Sequence, residues 1–475
     1  MEEKTTSVFR SYALDALRGF AILTMILSGR ISWGNLPGWM YHAQIPPPDH
    51  KFDPTLPGIT WVDLVFPFFL FAMGAAFPLA LSKKLKGGKI STDLILQIFK
   101  RGLLLAFFAI VIQHLRPHVL SKSPDAITYA IALIGFAFLF LIFWRFPASF
   151  SKTRTYALRG AGTVGIVAIM ALVTYPDGSG FKLSRFDIII AVLANVSVAG
   201  SLIWLFTREN WMWRLGIMAL IFAIRLSSSA ESGFVKDIAS LQPSGWVFNV
   251  NFLKYLFVVI PGTIAGDIIL KMMQLKSDDL KEKFSDQAGQ SVLLAILMAG
   301  FSVVSLVTLY NRWVWEGFAV GLLMLAISWY ILRDMEGKYF NILKELFIWG
   351  AFWFVLGFLL EPFEGGIKKD HSTMSYYFLT SGLALFFIIF ASIVIDFFSK
   401  RAWMSLLIDS GQNPMIAYAG GGNLITPLLG LFGIETLMSQ YFTTPFLGFL
   451  KGLIVTLALA YIVKLFTRYK IFWRS

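Results

Sequence analysis

Apolar runs long enough to cross a lipid bilayer recur from one end of this 475-residue chain to the other. A crossing helix needs about 20 predominantly apolar residues. Such runs fall near 14–33, 60–82, 99–115, 127–144, 157–175, 187–206, 211–225, 252–271, 289–309, 315–332, 341–360, 376–397, 412–433 and 445–466. Within the hydrocarbon layer every backbone polar group must be satisfied by the spanning element itself, which leaves helices and closed barrels. A barrel would show alternating strands of about 10 residues, and no such pattern is present. The expected fold is therefore all-α, a polytopic transmembrane helical bundle of about 11 to 14 spans. Two runs are weak: 211–225 is short and bounded by Arg214 and Arg225, and 412–433 is broken by Gly420, Gly421, Gly422 and Pro427.

Loops between the runs are too short to fold alone, so residues 1–475 read as one membrane domain. Apolar residues make up 57% and charged residues 15%, against about 25% charged in soluble domains. The net charge of +13 is then a matter of loops, because membrane proteins concentrate Lys and Arg on the cytoplasmic side. No nucleic-acid-binding motif accompanies it. With the N-terminus inside, 28 of the 41 Lys and Arg lie at cytoplasmic ends and 13 outside. The clearest inside groups are Lys83, Lys84, Lys86, Lys89, Lys100 and Arg101, then Lys271, Lys276, Lys281 and Lys283, then Lys464, Arg468, Lys470 and Arg474. The segment 275–287 reads as a solvated cytoplasmic loop. No small-residue cleavage site follows the first apolar run, so an uncleaved first span is expected. The protein is expected in the cell's inner (cytoplasmic) membrane, with the N-terminus cytoplasmic and the lipid bilayer as its first partner.

Within this frame the stretch 39–74 (WMYHAQIPPPDHKFDPTLPGITWVDLVFPFFLFAMG) stands out. A proline-stiffened loop carries His42, Asp49, His50 and Asp53 and runs straight into an apolar helix holding Asp63 in its first turn. Titratable groups at the mouth of a membrane helix are costly to keep and mark functional sites. Either His42 or His50 could serve as base or nucleophile, since imidazole titrates near neutrality. Asp63 could orient a histidine, as the carboxylate of a catalytic triad does, or bond the free N–H groups of its own helix, with Thr60 as the rival cap. Pro67 and Pro78 predict kinks in that helix. Lys100 and Arg101, opening the third span, could hold a phosphate-rich ligand or simply anchor the cytoplasmic end. Cysteine is absent, which excludes disulfides, thiol nucleophiles and Cys-ligated zinc, and none of the five histidines falls in an HExxH motif, so no metal is expected.

Several stretches, taken in order, resemble the heparan-α-glucosaminide N-acetyltransferase family, in particular its bacterial members. They are SYALDALRGFAILTMIL with Asp15, Arg18 and Gly19; WVDLVFPFFLFAMGAA at 61–76; FKRGLLLAFFAIVI; VIPGTIAGDII at 259–269; GGIKKDHSTMSYYFLTSGLAL at 365–385; and GQNPMIAYAGGGNL at 411–424. The resemblance implies a transmembrane acyltransferase that takes acetyl from cytoplasmic acetyl-CoA and delivers it to an extracytoplasmic amino-sugar or glycan acceptor. It places the family's active histidine at His42, in His–Ala, with Asp63 downstream. His50 is a rival because the insert QIPPPDHKFDPTLP lengthens the spacing. The Asn the family often shows at the end of the first helix is here Gly29. Lys100 and Arg101 would meet the CoA phosphates, Asn413 and Lys369 would line the path, and a homodimer is implied. The histidine would act as base or as acetyl relay. The competing expectation is a secondary transporter of a small solute or sugar derivative, which broken helices suit.

Overall fold

A computed structural model describes residues 10–34, 36–85, 88–241, 245–275 and 287–475. Lys86, Lys276, Lys281, Lys283 and nearly all of the 275–287 segment lie outside the described residues. Of the described residues 74% are helical, and none forms a strand. The all-α expectation holds.

The first helix, α1 (Tyr12–Ser28), starts where Ser11 accepts a bond from the Leu14 N–H. There follow α2 (Trp61–Leu81), α3 (Thr92–His114), α4 (Ala126–Phe143), α5 (Lys152–Leu172), α6 (Ile188–Thr207), α7 (Trp211–Ser228) and α8 (Leu256–Met272). After them come α9 (Ala288–Tyr310), α10 (Val314–Arg333), α11 (Lys338–Glu364) and α12 (Met374–Ser392). Short pieces α13 (Ser405–Gln412), α14 (Pro414–Gly420), α15 (Thr426–Leu431) and α16 (Ile434–Tyr441) lead to α17 (Pro445–Arg468). Side-chain caps repeat down the chain: Ser91, Asp125, Ser151, Asp187, Asn210, Thr373 and Thr444 each accept from a free N–H at a helix start, which satisfies donors that a buried helix end would otherwise strand.

Twelve helices among the described residues are long and apolar enough to cross a membrane. These are α2 to α12 together with α17. At 17 residues α1 would extend about 26 Å, close to the hydrocarbon thickness of about 30 Å. The glycine-broken run reaches from one end of α1 to the other: Pro414 and Met415 line a cavity with Arg10 and Arg474, whereas Gly421 and Thr426 bond Arg30 at the far end of α1. It remains helical through a wider turn at Gly421–Ile425 before breaking by 85° into α16. Arg10 and Arg474, near the two termini, line one cavity, so both lie at one end of the bundle. Arg401 over the Tyr12 ring and Lys464 on Ser405 hold that end together.

Glycine sets the closest approach. A Cβ on Gly19 of α1 would strike the Leu407 carbonyl, and one on Gly411 would strike the Asp15 carbonyl, so α1 and α13 touch backbone to backbone. The expected kinks do not interrupt α2: Pro67 and Pro78 both lie within one continuous helix. A large apolar core, with members from Ala13 to Trp473, runs through the bundle, and smaller clusters form around Tyr41 and around Ala132.

Candidate functional site

Thr60 ends the loop in extended conformation and caps α2, which leaves Asp63 at the third helical position. From there the buried carboxylate serves both roles the sequence allowed. Its Oδ2 accepts from the Thr60 N–H at 2.9 Å and the Ala43 N–H at 3.2 Å. Its Oδ1 stands 2.6 Å from His42 Nδ1. Thr60 donates its hydroxyl to the Tyr41 carbonyl at 2.6 Å, which ties the residue before His42 to the helix start. Tyr376 of α12 donates to the Asp63 carbonyl at 2.7 Å. The Asp63 side chain is fully buried, while that of His42 is 32% exposed.

This pattern selects the tautomer. An ionised carboxylate only accepts, so Nδ1 carries the proton and donates to Asp63, and Nε2 keeps a free lone pair. Lys369 Nζ lies 3.1 Å from Nδ1 and 3.4 Å from Nε2. Because Nδ1 is already a donor, the ammonium can donate only to Nε2. Lys369 also faces Asp370 at 3.6 Å. A carboxylate, an imidazole and an ammonium thus meet from loops 327 residues apart.

The rival histidine has another task. His50 edges onto Trp33 and Tyr41, with ring centroids at 4.5 and 4.6 Å, and its Nε2 reaches the Gly34 carbonyl at 3.3 Å. Among the described residues it neither hydrogen-bonds nor ion-pairs with Asp63. Asp49 is exposed. Asp53 accepts from the Thr55 N–H and hydroxyl, which hold its carboxyl below the usual range. These groups shape the loop.

At the opposite end lies a cavity of about 380 Å³ lined by Arg10, Arg18, Lys84, Arg101 and Arg474, with Tyr418 at its depth. Its cationic wall is crowded: burial, with Arg18, Arg10 and Arg145 nearby, pushes the Arg474 guanidinium down to about 10. Arg101 belongs to this wall, whereas Lys100 is exposed beside it. Asn413 does not line the cavity. Its Nδ2 donates to the Ile471 carbonyl at 2.7 Å and its Oδ1 accepts from the Trp473 N–H at 3.3 Å, pinning the C-terminal tail. Lys369 is likewise remote from this cavity, standing on His42 instead.

A second cavity, about 610 Å³, opens at the His42 end between Arg30, Arg116, His118 and Asp187. The two cavities meet at Met25, Ile189 and Tyr418, which line both. Neither is lined by His42, Asp63 or Lys369. Of the residues lining these cavities, Arg18 stands out in the sequence only within the family-like motif and Arg474 only as a tail charge, while Arg30, Arg116, Asp187 and Tyr418 are not singled out as site residues. Arg18 and Arg30 sit inside the first apolar run, where a charge facing the bundle interior was itself the available signal. No group of three or more His, Cys, Asp or Glu placed to hold a metal occurs among the described residues.

Fold and site together define a polytopic helical membrane protein with a His–Asp–Lys cluster at one end and a basic cavity at the other. The chain belongs to the family described as "Domain of unknown function (DUF5009)", whose model matches residues 10–269. That match contains His42 and Asp63 but not Lys369. No protein of curated description matches the chain.

Proposed function

We propose that this protein is a transmembrane acetyltransferase, with acetyl-CoA as donor at the basic cavity and an amino sugar as acceptor at the His42 end. The observation that carries the reading is the 2.6 Å contact between His42 Nδ1 and the buried Asp63 carboxylate, which keeps the Nε2 lone pair for accepting, from Lys369 at 3.4 Å and from the substrate amine once Lys369 swings off it. An amine acceptor is mostly ammonium at neutral pH and must lose a proton before attacking a thioester. Nε2 takes that proton, and Asp63 stabilises the imidazolium that results. As the nitrogen–carbon bond forms and the carbon–sulfur bond breaks, negative charge gathers on the carbonyl oxygen and then leaves on the CoA sulfur. The Lys369 ammonium, once off the ring, stabilises that oxygen. Alternatively Nε2 takes the acetyl group first and passes it to the amine.

Five cationic side chains around the inner cavity suit the phosphates of CoA. Since His42 lines neither cavity, acetyl delivery requires the side chains between the cavity wall and the ring to move aside. A second reading rests on a different observation: the two cavities abut at Met25, Ile189 and Tyr418, an arrangement that alternating access through a secondary transporter would also use.

Purified protein given acetyl-CoA and glucosamine should release free thiol, and His42→Ala should lower that rate by at least about 100-fold, the general-base contribution being about 10²–10⁴. Thiol release unchanged in His42→Ala would remove the histidine from the chemistry. Solute counterflow by the wild type with no thiol release would favour the transporter.

A further inference from the structure

The outer cavity is a site of its own. Arg30, at the end of α1, donates from Nη2 to the Gly421 carbonyl at 2.8 Å and the Thr426 hydroxyl at 2.9 Å. Among the described residues no acceptor stands within hydrogen-bond reach of its Nε or Nη1. Arg116, at the turn after α3, pairs with Asp187 at 2.5 Å. Asp187 is fully committed: it also accepts from the Ile190 N–H at 3.0 Å and from the Tyr418 hydroxyl at 2.8 Å. Of the groups lining the cavity, Arg30 and Arg116 are cationic and Asp187 alone is anionic. A surplus cation held in a partly buried void is costly unless a counter-charge joins it. The rest of the wall suits a small hydroxylated molecule, with Gln113, Tyr129 and Tyr418 offering polar tips and ring faces.

We propose that the outer cavity binds a sugar-sized molecule carrying an oxyanion, a carboxylate or a phosphate, which Arg30 grips and Arg116 attracts. The inference goes beyond the acetyltransferase reading and does not depend on His42. The anion could be that of a soluble acidic sugar or of a lipid headgroup entering from the bilayer, and the chemistry recognised is the same. His118 supplies a pH term. It lines the cavity beside Arg116, and burial and that charge hold its imidazole below the usual range. The other charged groups nearby are Glu435, which is close enough to act on Arg30 and is itself paired with Lys451, and Lys122, Asp177 and Arg185 around an adjoining hollow of about 410 Å³. Asp177 is bound by Lys182 and Arg185. A bound carboxylate, ionised throughout this range, favours protonated His118, so glucuronic acid should bind more tightly as pH falls from 7.5 to 5.5.

The test uses the full chain in phosphatidylcholine nanodiscs, with glucuronic acid, glucose 6-phosphate and glucose as calorimetric titrants. Both acids should bind at least tenfold more tightly than glucose. Arg30→Gln should erase that preference, and His118→Gln should remove the tightening at low pH. If phosphatidylglycerol in the nanodisc weakens glucose 6-phosphate binding at least tenfold in wild type, the resident anion is a lipid headgroup and the site stands. Equal binding of glucose and glucuronic acid would overturn the proposal, as would acid binding unchanged in Arg30→Gln. Absence of all acid binding, with no effect of phosphatidylglycerol, would overturn it too. Should Arg30→Gln fail to hold its fold, His118→Gln decides through the pH dependence.

Discussion

Asp63 divides its two oxygens between two tasks, and that division explains why its residue type is demanding. Oδ2 closes the start of α2 on the Thr60 and Ala43 N–H groups, and Oδ1 meets the imidazole. In Asp63→Asn a single carbonyl oxygen must serve both, and an amide cannot stabilise an imidazolium as a carboxylate does. We expect Asp63→Asn to retain its fold and to lose turnover by roughly 10³–10⁴, with KM for acetyl-CoA little changed, measured as initial rates of thiol release. A loss confined to KM would assign Asp63 to donor binding instead. The residues of this cluster were unevenly legible. His42 and Asp63 stood out because titratable groups beside an apolar run are costly. Lys369 sits on the same ring, yet nothing local links residues 327 apart. His50 illustrates the opposite limit: the three prolines beside it could position a catalyst or merely space a loop, and only the structure shows the ring packed on Trp33 and Tyr41.

At the scale of elements, apolar length carried most of the information. Each run found in the sequence corresponds to a helix or, at 412–433, to a broken one, because a chain in lipid has few other ways to satisfy its backbone. Ends were less legible. The third span begins at Thr92 rather than near 99, since Ser91 caps a polar first turn that hydropathy alone does not see. The weak run at 211–225 is a full helix because Arg214 is not exposed: it lies wholly buried, 2.5 Å from Asp267 of α8, with the Trp204 indole donating to the same carboxylate at 2.9 Å. Breaking a buried pair strands one charge and costs about 3–5 kcal/mol, whereas replacing both partners by apolar groups is often neutral. Arg214→Met should therefore lower the unfolding temperature in detergent, and Arg214→Met with Asp267→Leu should recover most of it. Equal loss in single and double variants would show that the pair itself stabilises the α7–α8 contact.

Across the whole molecule, the sequence gives alternation of loops and a charge bias, but not which loops meet. The structure supplies that: His42 and Lys369 share one end, while Arg10, Arg101 and Arg474 share the other. With positive residues concentrated at the second end, that end should be cytoplasmic. The chain has no cysteine, so single introduced thiols report topology cleanly. Lys51→Cys should react with an impermeant maleimide on intact cells, and Lys400→Cys only after permeabilisation, both sites being exposed. Labelling of both from outside would contradict the arrangement of crossings.

The central claim is that acetyl passes from one end of the bundle to the other through His42. Proteoliposomes oriented with the basic cavity inward, loaded with radiolabelled acetyl-CoA and bathed in glucosamine, test it most directly. Labelled N-acetylglucosamine is expected in the outer medium with the wild type and none above background with His42→Ala. Thiol release without labelled product outside, or equal product from both proteins, would contradict it.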